Sequence, residues 1–318
     1  MNRTILSTLS RAVIIIITVS FSSTVKSQDT SPGKAEAYVS CCTKDLYLAG
    51  RVKRMKVSSY TYENGIKASI PQNEVIYHFN AKGNCLSACY NDYSYSTPIH
   101  QIVEYSYDSS GNVLTEVYSE NGEYCGKKKY QYNPFSKVLY NEANEVEEII
   151  STEKNGIYSV SGFYGTVTEK HTDSEGEVVS KTVSYYKDGA IIKDEEYSSD
   201  NSISYITAYT YDSRGNLLLT MTSDASGQIT GKKVNSYSEG VLVSTEQYLL
   251  FSTLDIAKAW RYDTKGREVY YCCYMILPDY LIQNISYEDD SLGNWKKQWI
   301  RDRNNRIIEI IEREIEYY

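Results

Sequence analysis

Histidine is nearly absent. His78, His100 and His171 are the only three, and none stands beside a nucleophile in a recognisable motif, so general-base chemistry centred on histidine has no starting point. Proline is also scarce, at 5 in 318 residues, which leaves few interruptions to long extended segments. Phenylalanine numbers 5 against 33 tyrosines. A thick dry core would favour Phe, Leu and Ile, whereas tyrosine suits a half-buried sheet in which the ring packs and the hydroxyl reaches water. No apolar run approaches the roughly 20 residues of a membrane-spanning helix. The 7 cysteines form no Cys-x-x-Cys knuckle, so a zinc site of the usual ligand spacing is not expected. Cys41, Cys42, Cys85, Cys89, Cys125, Cys272 and Cys273 are an odd set that cannot all pair internally. Cys85 and Cys89, four apart on a strand, share a face but lie about 13 Å apart, too far to bridge.

The start of the chain reads as an export signal over residues 1–27: Arg3 and Arg11, then the apolar run Ala12 to Phe21, then Val25-Lys26-Ser27 before a first mature residue Gln28. Loss of Arg3, Arg11 and Lys26 takes the net charge from -8 to about -11. A chain this acidic, without a basic stripe, repels nucleic acid and anionic membrane. After signal removal no membrane span is expected. Residues 28–50 read as a flexible lead and N-terminal cap.

What is abundant is a repeated unit. Tyr209-Thr210-Tyr211-Asp212-Ser213-Arg214-Gly215-Asn216-Leu217-Leu218 reads strand, tight turn, strand. The two tyrosines share one face, Asp212 caps its own turn, and Gly215 takes the positive φ the turn requires. Tyr105 to Leu114 repeats it, with Asp108, Gly111 and Asn112 in the turn; looser copies run through Tyr60-Thr61-Tyr62, Tyr77-His78-Phe79 and Tyr130-Gln131-Tyr132. Residues 141–199 are a degraded stretch, with a turn expected at Lys154-Asn155-Gly156. Beyond it the turn glycines Gly189, Gly215, Gly240, Gly266 and Gly293 recur every 25 to 27 residues, in units carrying Trp260, Tyr262 and Asp263, then Asn294. Each interval holds two strands and two turns, so successive hairpins join through further hairpins. Phe251 to Lys258 admits one helical turn, and Met275 to Leu281 reads as a loop.

The run Tyr-x-Tyr-Asp-x-x-Gly-Asn-x-Leu at Tyr105–Leu114 and Tyr209–Leu218 resembles the YD repeat of the RHS family. The ending, from Gly293-Asn294-Trp295 to Arg313-Glu314-Ile315-Glu316-Tyr317-Tyr318, is similar to the closing unit of exported proteins of Bacteroidetes-type bacteria. The resemblance implies a secreted or surface protein whose repeats lie side by side as a curled sheet. The core segment and variable toxin region of the large RHS members are missing, so it does not imply toxin delivery.

The expected fold is therefore all-β with little helix: a curved, twisted antiparallel meander of hairpins over 51–318, an open sheet or solenoid of more than 15 strands, with residues 285–318 as a C-terminal capping unit. The acidic pairs Glu147-Glu148, Glu195-Glu196 and Asp289-Asp290 point to opposite faces of a strand and make no hydrolytic cleft. One Asp and one Asn per turn fall short of a calcium loop. No catalytic residue, metal ligand or cofactor is expected. Asp108, Gly111, Asn112, Asp212, Gly215, Asn216, Asp263, Gly266, Gly293 and Asn294 are expected to build turns. The aromatics Tyr105, Tyr107, Tyr209, Tyr211, Trp260 and Tyr262 are a structural ladder or an exposed stacking platform. The expected role is a non-catalytic binding or scaffold module, in the periplasm, on the cell surface or outside the cell, with an unidentified protein or glycan partner. The alternative is a carbohydrate-binding platform built on these aromatics; an enzyme comes third.

Overall fold

The computed structural model describes residues 48–133, 136–141, 143–250, 254–274 and 281–318. The export signal, Cys41, Cys42 and the loop expected from Met275 fall outside them. The strands are β1 (Val52–Glu63), β2 (Ile66–Lys67), β3 (Asn73–Phe79), β4 (Cys85–Asp92), β5 (Ile99–Tyr107), β6 (Val113–Glu120), β7 (Glu123–Asn133), β8 (Ser136–Tyr140), β9 (Val146–Ser159), β10 (Gly162–Asp173) and β11 (Val178–Lys187). The second half adds β12 (Ala190–Tyr197), β13 (Ile203–Tyr211), β14 (Leu217–Asp224), β15 (Ile229–Ser238), β16 (Val241–Leu250), β17 (Leu254–Tyr262), β18 (Glu268–Cys273), β19 (Leu281–Asp289), β20 (Trp295–Arg301) and β21 (Ile307–Tyr317). No helix occurs among the described residues, and the helical turn expected near Phe251 is in part strand β17.

Every pairing among the described residues is antiparallel, and all but two join strands adjacent in sequence. β1 pairs on one side with β3 and on the other with β21, Val52 opposite Tyr317 and Thr61 opposite Glu309. The two-residue β2 pairs only with β1, so the ring proper is a closed barrel of twenty strands. This corrects the expected open sheet or solenoid. The terminal strand, read from sequence as a cap over a free edge, is the strand that closes the ring.

The cause of closure lies in the bulges. In most hairpins the register slips by one residue, and the extra residue always falls on the returning strand: Leu86 opposite His78/Phe79, Leu114 opposite Ser106/Tyr107, Leu218 opposite Thr210/Tyr211. The slips recur at both ends of the strands, as at Val179 and Ile308. A bulge bends its strand and adds twist. Bulges of one sense, repeated around the sheet, curl it until its edges meet.

Among the described residues ten turns share one build. In the turn after β5, the Asp108 N–H donates to the Asn112 carbonyl (2.9 Å) and the Gly111 N–H to the Asp108 carbonyl (3.2 Å). The Asp108 carboxylate accepts from the N–H groups of Ser110 (2.8 Å) and Asn112 (2.9 Å). The same pattern begins at Asn80, Asn141, Asp173, Ser198, Asp212, Asp224, Asp263, Asp290 and Asp302, five turns at each rim. The left-handed position is glycine in most of them and asparagine at Asn144, Asn201 and Asn305, all at φ 62. The segment Lys154-Asn155-Gly156, expected as a turn, is strand within β9. There Gly156 faces Gly165 of β10, and a side chain on either would overlap the partner backbone.

Alternation carried around the register separates two faces. One carries Met55, Tyr77, Ala88, Val103, Tyr118, Ile150, Thr245, Ile285 and Ile300. Most buried side chains lie on it, Met55 at 0% and Ile300 at 1% exposure among them, which makes it the inner face. The outer face carries ion pairs at mid-strand beside apolar residues such as Ile76, Ile102, Ile206, Leu219 and Ile310. Lys56 pairs with Glu314 (2.5 Å), Glu312 with Lys67 (2.6 Å) and Lys297 (3.0 Å), and Glu195 with Lys193 (2.9 Å) and the hydroxyls of Tyr185 and Tyr197 (2.7 Å each). Several bulge residues, Leu86, Leu114, Val179, Ile192 and Ile308, stand exposed on this side. A bulge also moves Cys85 to the inner face and Cys89 to the outer, correcting the expectation that they share one. All five described cysteines are free thiols.

Candidate functional site

The inner wall collects the aromatics picked out from sequence. Tyr105 and Tyr107 on β5, Tyr209 and Tyr211 on β13, and Trp260 and Tyr262 on β17 all share the face of Met55. So do Tyr77/Phe79 and Tyr130/Tyr132, each stacked along its strand at 6.1 and 6.5 Å. These rings therefore line the lumen rather than an outside surface. Tyr60 and Tyr62 are the exception: β1 turns them outward, where Lys67 lies 3.8 Å over the Tyr60 ring.

The second aromatic of several units stitches the rim. The Tyr107 hydroxyl donates to the Cys85 carbonyl (2.6 Å), Tyr237 to that of Leu217 (3.1 Å) and Tyr287 to that of Glu268 (2.7 Å). Each acceptor is the first residue of the returning strand one hairpin back, next to its bulge. The first aromatic of the unit reaches laterally instead: Tyr209 donates to Asp194 (2.7 Å), whose other oxygen is buried without a hydrogen-bond partner. Burial and that bond raise the Tyr209 phenol above its ordinary range.

The predicted turn residues build turns. Asp212 accepts from Arg214 N–H (2.8 Å) and Asn216 N–H (2.9 Å), and the Asn216 amide donates to it as well, which holds the carboxyl below its ordinary range. Gly111, Gly215, Gly266 and Gly293 all sit at positive φ. Asp263 takes Arg267 in place of an asparagine. Asn294 departs from the pattern. It bonds the Ala49 backbone through both amide atoms (2.6 and 2.9 Å) and donates to Tyr317 (2.7 Å), pinning the chain ahead of β1 against the rim. The turns that start at Asn80 and Asp108 flank a groove of about 570 Å³ lined by Tyr105, Tyr107 and Gly111.

Residues not singled out from sequence supply the strongest electrostatics. Arg313 of β21 shares the inner face, opposite Val57, and its guanidinium carbon lies 3.5 Å from the centroid of the Trp295 ring. Burial pulls its pKa down to about 9, so it stays charged at neutral pH. Glu268, at the start of β18 opposite Tyr262, is pushed up to about 7 by burial. Glu309 is raised by burial too and accepts from the Ser59 hydroxyl. Tyr287 and Trp295 pack at 5.9 Å on the same wall, and Trp260 and Tyr271 at 5.6 Å. Among sequence signals, only the inward parity of Arg313 would have exposed it, and that parity requires knowing both neighbours of β21.

The histidines are all engaged elsewhere or exposed. His78 stands exposed on the outer face. His171 lies on the inner wall between Glu148 (2.6 Å) and Glu169 (3.2 Å); burial opposes its protonation, but the two carboxylates outweigh it and raise the pKa. On the outer wall His100 Nδ1 meets Asn91 Oδ1 at 2.5 Å and Cys89 Sγ at 3.7 Å. Burial pushes the Cys89 thiol up. Of the acidic pairs, Glu195 faces out and Glu196 in. Among the described residues no cluster of metal-ligating side chains occurs.

No family model matches the chain, and no curated protein matches it in sequence. Among solved structures, a porin-like protein from Bacteroides uniformis aligns at 10% identity and TM-score 0.34, over 85% of this chain and 99% of its own. A porin-like protein from Bacteroides vulgatus aligns at 10% and 0.25, over 68% and 94%. A TcdB2-TccC3-Cdc42 chain aligns at 11% and 0.28, over 82% of this chain and 16% of its own. Similarity of this degree leaves the function to be read from the barrel's own walls.

Proposed function

We propose that the protein is a non-catalytic binding module of the bacterial envelope that holds its ligand inside the barrel. The carrying observation is the inner wall itself. Half-buried Tyr and Trp rings alternate there with Thr220, Thr222, Asn235, Gln247, Gln283 and Gln298. Rings offer stacking faces while carboxamides and hydroxyls offer directional hydrogen bonds, the combination that small-ligand sites use. That mixture favours the carbohydrate form of the reading, since sugar rings present both C–H faces and hydroxyl edges.

The ion-paired outer wall supports a barrel standing in water. A lipid-spanning barrel turns an apolar band outward, and Lys56, Lys193, Glu195, Glu312 and Glu314 occupy mid-strand outward positions here.

Trp260 and Trp295 are lumenal, whereas Trp299 faces out beside Lys297. A panel of oligosaccharides and peptides titrated against the mature protein, read by tryptophan fluorescence, tests the proposal. Quenching that disappears in Trp260→Phe or Trp295→Phe but persists in Trp299→Phe is expected. A panel that leaves the lumenal tryptophans unmoved, or acts only through Trp299, overturns it.

A further inference from the structure

We infer that Arg313, Trp295, Tyr287 and Glu268 form one subsite on the inner wall and that it takes an acidic saccharide, the sugar's carboxylate on Arg313. The inference rests on the lumenal binding reading above and narrows it to one ligand class.

Arg313 is a cation with no counterion. Its Nε is buried without a hydrogen-bond partner, and among the described residues no carboxylate pairs with it. Glu309, four residues along the same face of β21, is about 13 Å away and bonded to Ser59. Glu312 and Glu314 point outward and hold lysines. The opposite residue on β1 is Val57. The guanidinium instead lies over Trp295, its carbon 3.5 Å from the ring centroid, and the proposed ligand meets its edge. A carboxylate suits that edge because it accepts two parallel N–H bonds.

The rest of the subsite suits a sugar rather than a simple acid. Tyr287, whose hydroxyl is tied to the Glu268 carbonyl (2.7 Å), presents a fixed ring beside Trp295 at 56° to it. Glu268 stands three strand spacings from Arg313, about 14 Å around the wall. Among the described residues its carboxyl makes no hydrogen bond and no ion pair. Held near half-protonation at neutral pH by burial, it both donates and accepts, as a pair of sugar hydroxyls requires, and gives little to an ammonium group.

Digalacturonic acid and neutral galactobiose are the probes, titrated calorimetrically against the mature protein and against Arg313→Gln, Arg313→Lys and Glu268→Gln. Digalacturonic acid is expected to bind at least about tenfold tighter than galactobiose, as one charge-assisted bond or more implies. Arg313→Gln should erase that preference, Arg313→Lys should restore part of it, and Glu268→Gln should weaken both sugars. Equal binding of the two sugars by the parent protein, or a preference that survives Arg313→Gln, overturns the inference while leaving lumenal binding standing. Binding of neither also overturns it, and the wider oligosaccharide and peptide panel then decides the broader reading separately. Should Arg313→Gln fail to fold, the parent's ratio for the two sugars still decides.

Discussion

The phenol of Tyr107 donates 2.6 Å to the backbone carbonyl of Cys85, the residue that faces Phe79 where the preceding hairpin bulges. The bond joins two neighbouring hairpins at the rim. Tyr107→Phe keeps the ring and removes this bond. It is expected to lower stability by about 0.5–1.5 kcal/mol, with Tyr287→Phe alike. Urea melts of the two variants and of Tyr62→Phe, which turns outward, provide the check. Equal losses in all three would contradict a stitching role.

The left-handed turn position distinguishes residues that look unrelated in sequence. Gly215 sits at φ 85 and Asn305 at φ 62 in turns of the same build. Gly215→Val forces a β-branched side chain into that region and should cost about 1–2 kcal/mol. Asn305→Gly should change stability by less than about 0.5 kcal/mol. Thermal melts compare them directly, and a costly Asn305→Gly would mean that its side chain matters more than its backbone.

Glu268 predicts a pH dependence of known sign. Its folded pKa, about 7, lies above the ordinary 4.5, so the native state binds the proton more tightly. The stabilising contribution is full below the ordinary value and lost as pH rises through 7. Glu268→Gln should therefore match the parent at pH 4 and exceed it at pH 8 by about 1–3 kcal/mol. Denaturant midpoints across this range measure the difference; parallel curves would show that the carboxyl is not held protonated.

His171 gives the same sign with a different cause. Its pKa is raised by Glu148 and Glu169 against the pull of burial. Its contribution is full below the unfolded value of about 6.5 and fades as pH climbs through the higher folded value. His171→Gln should be the less stable protein at pH 6, by a margin that shrinks at pH 8. NMR titration of the ring protons tests the premise, since a value at or below that of a free imidazole would contradict it.

Deleting residues 313–318 removes the pairing of Val57, Lys56, Met55, Arg54 and Val52 with β21 and the bond from Tyr318 to the Phe79 carbonyl. The expected result is a lower melting temperature of the monomer itself, because the ring opens. A truncated chain that melts like the parent would show that these residues do not carry closure.

Local chemistry made the hairpins readable. Asp108 and Gly111 specify their turn within five residues, so both strands follow. The turns with Asn144, Asn201 and Asn305 escaped notice because only glycine marks the left-handed position plainly in a sequence. Closure was illegible for another reason: it depends on the sum of many small bends at residues such as Leu86 and Leu114, each of which reads as an ordinary strand residue. Arg313 looked like one charge in the run Glu312 to Glu316. Its inward direction exists only once β1 and β20 fix the parity of β21, so the best candidate binding residue was hidden by its neighbours' solvated charges.

The seam between β1 and β21 has a kinetic consequence. Every other strand finds its partner nearby in the chain, but the ion pair Lys53–Glu316 joins residues 263 apart. Hairpin formation takes on the order of microseconds, whereas bringing such distant ends together bears the entropy of closing a very long loop. The sheet is therefore expected to zip up by local steps and to wait, nearly complete, for its first and last strands to meet, a slow final phase that the signal of Trp295 beside Arg313 should report.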